Sequence, residues 1–126
     1  MSWRAILGLG VGAALLFAAA PLDAAGRAKL AARGRALLQD SCARCHAIDT
    51  HGESPMQAAP PMREIYARFA PRELQAELSE GMVSHYRDMP QIEFASEDVD
   101  AILAYLYQLS ARQWRITHPS AKRGAN

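Results

Sequence analysis

Apolar residues return every three or four positions over two stretches of the chain, and no run alternates with a period of two. Over residues 27–39, Leu30, Gly34, Leu37 and Leu38 recur at helical spacing, with Arg33 and Arg35 on the wet side. Near the other end, Val99, Ile102, Leu103, Leu106 and Leu109 form a second, longer stripe. Ser96 reads as its cap, and Glu97 and Asp98 fall in its first turn, where the helix dipole favours acids. Between the two, Pro71 is placed to open a helix with Leu74 and Leu78 on one face and Gly81 as its stop. Pro60 and Pro61 start a short helical piece carrying Ile65, Tyr66 and Phe69. Residues 41–59 have loop composition, and residues 82–95 look irregular. With no strand pattern, the fold class is all-α.

The two ends differ from this pattern. Residues 1–25 run from Met1-Ser2-Trp3-Arg4 into an uncharged apolar stretch that closes on Ala18-Ala19-Ala20, the layout of a secretory signal. Pro21 disfavours a cut directly before it, so cleavage is expected between residues 20 and 26. The alternative is an uncleaved membrane anchor, for which the run is short and rich in Ala and Gly. Residues 26–112 then form one domain with a thin core. Residues 113–126 are polar and basic and read as a flexible tail.

Composition adds exclusions. The chain has 126 residues, too few for a two-domain enzyme, and 14 Lys and Arg against 13 Asp and Glu. That balance argues against a nucleic-acid binder working through bulk positive charge. The charges are unevenly placed, however. Residues 27–44 carry five basic side chains against Asp40 alone, residues 112–123 carry four with no acid, and residues 45–111 hold eleven acids.

The sharpest chemical signal is Cys42-Ala43-Arg44-Cys45-His46, the C-x-x-C-H pattern of covalent haem attachment. Two thiols about one helical turn apart can each add to a vinyl group of one haem. The histidine that follows is then held under the iron as a neutral nitrogen ligand. A redox C-x-x-C pair would come with a βαβ pattern, which is missing. A zinc site would need further ligands at paired spacing, and His51, His85 and His118 are not so arranged. A disulfide here would close a very small loop.

A soft, neutral sixth ligand is then expected, and Met89 is the first candidate, because Pro90 follows it at once and fixes the chain direction. Met82 and His85 are the alternatives, and an open sixth position is the last.

With these parts in this order, residues 27–110 resemble a class I cytochrome c of the small bacterial type. The resemblance implies three to five helices around one covalently attached haem c, with the N- and C-terminal helices crossing. It implies Cys42 and Cys45 as thioether sites, and His46 and Met89 as proximal and distal iron ligands. It matches Pro60 to the proline whose backbone carbonyl accepts a hydrogen bond from the proximal imidazole. It also pairs Gly34 with Tyr105 at the helix crossing. Many relatives carry an aromatic three or four residues after that glycine, where this chain has Leu37 and Leu38.

The function so implied is one-electron transfer by an exported, periplasmic, mono-haem carrier acting between redox partner proteins and not as an enzyme. Neither nucleic acid nor stable membrane insertion is expected once the signal is cut. Two other readings stay open: a haem enzyme or gas sensor with an open sixth site, and a dedicated cytochrome subunit of a larger oxidase or dehydrogenase.

Overall fold

The computed structural model describes residues 23–81 and 88–119. Four helices follow in chain order: α1 (Ala24–Ser41), α2 (Met62–Arg68), α3 (Pro71–Glu80) and α4 (Ser96–Thr117). No strand occurs among the described residues, so the all-α class read from the periodicity holds. The leader to residue 22, the alternative ligands Met82 and His85, and the tail beyond residue 119 lie outside the described residues.

α1 begins three residues before its expected start, because Asp23 caps it: the carboxylate accepts from the Gly26 amide at 2.6 Å. Pro71 opens α3 as expected, and Glu73 folds back to accept from the Ala70 amide at 3.0 Å. Gly81 stops α3 at φ +77, a left-handed backbone that glycine alone adopts without cost.

Two expectations about α4 are corrected. Its extended N-cap is Ala95, so Ser96 is already helical and makes no cap bond to the first-turn amides. The helix also continues to Thr117, five residues into the segment read as tail. It ends where His118 precedes Pro119, whose ring disfavours a helical residue before it.

α4 is the spine of the molecule and packs against α1, α2 and α3. Its buried stripe is Val99, Ala101, Ile102, Tyr105, Leu106 and Leu109, which meets Ala31 and Leu38 from α1, Ile65 from α2, and Leu74 and Leu78 from α3. Each large apolar side chain sealed in this way contributes about 1.5–3 kcal/mol. Where α1 crosses α4, the atoms nearest to Gly34 belong to the backbone of Ala101 and Ile102. The closest approach lies one turn before Tyr105, the residue that the resemblance pairs with Gly34, and the Tyr105 hydroxyl reaches the loop that follows α1, where it donates to the Ile48 carbonyl.

Candidate functional site

The helical run of α1 ends at Ser41, and the backbone then turns tightly enough to bring the motif together. The Cys42 and Ala43 amides both donate to the Leu38 carbonyl, closing α1, at 2.9 and 3.0 Å. The Cys45 and His46 amides then donate to the Cys42 carbonyl at 3.1 and 2.9 Å. This single extra turn sets both thiols and the imidazole on one short stretch of chain. Both cysteines are free thiols and half-buried. Burial, together with the neighbouring Cys45, pushes the Cys42 thiol up to about 11. The free side chain is therefore a neutral thiol at ordinary pH.

His46 is a buried polar side chain, 8% exposed. Its Nδ1 lies 2.6 Å from the Pro60 carbonyl oxygen. A carbonyl can only accept, so Nδ1 carries a proton, and the neutral ring then has its lone pair at Nε2, the form an iron ligand needs. Pro60 supplies this acceptor from a segment fourteen residues away because the intervening loop doubles back. The Met56 amide reaches the Cys45 carbonyl at 3.2 Å, the Ala47 amide reaches Ser54 Oγ at 3.0 Å, and the Met62 amide reaches the Ala47 carbonyl at 2.9 Å.

The structure thus brings Cys42, Cys45, His46 and Pro60 into one cluster. Met89 lies on the segment between α3 and α4, half-buried in a bend before Pro90. That segment is clipped to α3 where the Phe94 amide donates to the Leu78 carbonyl at 3.0 Å. Among the described residues no group of three or more His, Cys, Asp and Glu gathers to hold a metal ion by itself.

Sequence reasoning missed the residues that pin the loop after His46. Ser54, Asp49, Arg35 and Arg63 carry no motif, and Tyr105 meets the loop across more than fifty residues of chain. No spacing rule announces such contacts.

Two free thiols three residues apart and an adjacent buried imidazole, its Nε2 without a partner among the described residues, fit covalent haem. Held in an all-helical frame, they define a haem c-binding protein. The Cytochrome c family model matches residues 31–110. The chain belongs to the cytochrome c family and holds covalently bound haem c, with Cys42 and Cys45 fitting the attachment motif. No curated protein and no solved structure gives a significant match to it.

Proposed function

We propose that this chain is an exported mono-haem electron carrier in which His46 and Met89 are the axial iron ligands. When bound, haem c supplies a ferric–ferrous couple that takes up and releases one electron. The chain's own residues do the rest. Cys42 and Cys45 hold the group, Pro60 fixes which imidazole nitrogen is available, and Met89 offers a soft, neutral donor on a chain direction set by Pro90. Filling both axial positions leaves no place for a substrate at the iron, which favours a carrier over a haem enzyme or gas sensor. The observation that carries this reading is the 2.6 Å approach of His46 Nδ1 to the Pro60 carbonyl, which leaves Nε2 committed to nothing else among the described residues.

Export is supported by the leader composition of residues 1–25, and by the family's need for haem attachment outside the cytoplasm. Among the described residues no helix is long and apolar enough to cross a membrane. Docking on redox partner proteins would draw on the uneven charge of the chain. Two α1 cations are already engaged, however, Arg33 with Asp98 and Arg35 with Asp49, which leaves the docking field smaller than the sequence alone suggests.

The deciding experiment is the absorption spectrum of the matured protein, oxidised and reduced. A weak red-edge sulfur-to-iron band in the oxidised form, lost in Met89→Ala, is the expected result. Resting high-spin iron would overturn the carrier and point to an open site. Retention of the band in Met89→Ala would move the ligand to Met82, and a bis-nitrogen spectrum would move it to His85.

A further inference from the structure

The orientation of His46 depends on its Nδ1 bond and on the backbone that carries the ring. That backbone leads into residues 47–61, which form no helix and would be the loosest part of the site unless tied down. The bonds of Ala47 to Ser54 and Met62 tie the loop to itself and to α2. Ile48 packs into the core beside α1 and α4, and among the described residues the loop's hydrogen bonds to those two crossed helices come from one small network. Tyr105 lies 2.9 Å by its hydroxyl from both the Ile48 carbonyl and Asp49 Oδ1. Arg35 reaches the same carboxylate with Nε at 3.1 Å and Nη2 at 2.8 Å.

We propose that Tyr105, with Asp49 and Arg35, forms a lock that fixes the backbone beyond His46 and so makes these three positioning residues for the imidazole. This rests on the reading of His46 as an iron ligand. The parts are unequal. Tyr105 is 4% exposed, so its bonds are made in a dry setting, whereas Arg35 and Asp49 are both about half exposed and screened by water. A phenylalanine would fill the same space, so what tyrosine adds is the hydroxyl. That hydroxyl has one proton and two acceptors, and Arg35 holds Asp49 where it can share in it. Burial and Asp49 push the Tyr105 phenol up to about 12, which keeps it a donor at any ordinary pH.

A structural tyrosine would lower global stability and accelerate exchange of all protected protons alike. A positioning tyrosine loosens the loop locally. The test compares matured wild-type protein with Tyr105→Phe and Asp49→Asn, reading exchange of the His46 Nδ1 proton against the Leu38 and Ile102 amides of the core. The expected result in Tyr105→Phe is covalent haem and helix content retained, with His46 exchange faster by about tenfold relative to those amides. The midpoint potential moves positive, because a more weakly donating Nδ1–H leaves the ligand less basic. Asp49→Asn, which keeps an acceptor for Tyr105 but loses the charge facing Arg35, changes both in the same direction by less. Equal acceleration at all three sites, or no change in the ratio, would overturn the proposal. If Tyr105→Phe does not fold, Asp49→Ala decides by the same ratio. A wild-type spectrum without a histidine-ligated haem would instead sink the reading beneath it, and it is recorded first.

Discussion

Gly34 on α1 lies directly against the backbone carbonyl of Ala101 on α4, with Ile102 N only 2.8 Å from where a Cβ would stand. The glycine is required here by closeness and not by an unusual backbone angle. Both opposing groups are main chain in the middle of a helix, so neither can swing aside as a side-chain tip would. Gly34→Ala should therefore separate the two helices and cost about 3 kcal/mol or more, at the upper end of overpacking effects. Denaturant unfolding of the matured protein checks this. A loss below about 1 kcal/mol would mean the crossing relaxes freely.

The two cysteines have separable contributions. Cys42→Ser and Cys45→Ser should each leave one thioether, so that haem still migrates with the chain on a denaturing gel. The double variant should lose covalent attachment while His46 and its Pro60 bond persist. Mass spectrometry of the exported protein gives the count of bonds directly. Covalent haem in the double variant would contradict the assignment of both thiols.

Asp49 makes part of the stability depend on acid. The Arg35 hydrogen bond holds its carboxyl below the ordinary carboxylate range; burial opposes it as the next largest effect, and the Tyr105 hydrogen bond adds to the lowering. A group whose pKa is lower folded than unfolded stabilises above the unfolded value of about 3.9, and that contribution is lost as pH falls through the folded value. The pair is half exposed, so Asp49→Asn should cost only about 0.5 kcal/mol at neutral pH and less at high salt. The discriminating result is in the pH dependence. The gap between wild type and variant should close as pH falls below the ordinary carboxylate range. A gap independent of pH would mean the side chain acts through shape and not charge.

The helices and the attachment motif were legible because their signals are local. Pro71 and Gly81 bracket α3, the leucine and isoleucine period marks α4, and C-x-x-C-H needs no partner elsewhere in the chain. Pro60 was reached only through resemblance, since a backbone carbonyl has no residue signature. Asp23 could have been read as the cap of α1 and Pro119 as the stop of α4, but each lies within a segment read as leader or tail. The contacts of Tyr105 with Ile48 and Asp49 span 57 and 56 residues, and only the packed helices bring those positions together.

The last turns of α4 bear on where the folded domain ends. Leu109 is the last buried position of the helix, and beyond it Trp114 and Ile116 are each about half exposed. Trp114 stacks on His118, with ring centroids 4.3 Å apart, so its aromatic partner belongs to the same extension and not to the core. The extension also falls outside the family match, which stops at residue 110. A chain ending at Arg112 should therefore keep its haem spectrum and unfold within about 1 kcal/mol of the full-length protein. In the full-length protein Trp114 should emit as a water-exposed indole. A larger loss of stability on truncation, or emission characteristic of a buried ring, would show that residues 113–119 fold back onto the domain and belong to it.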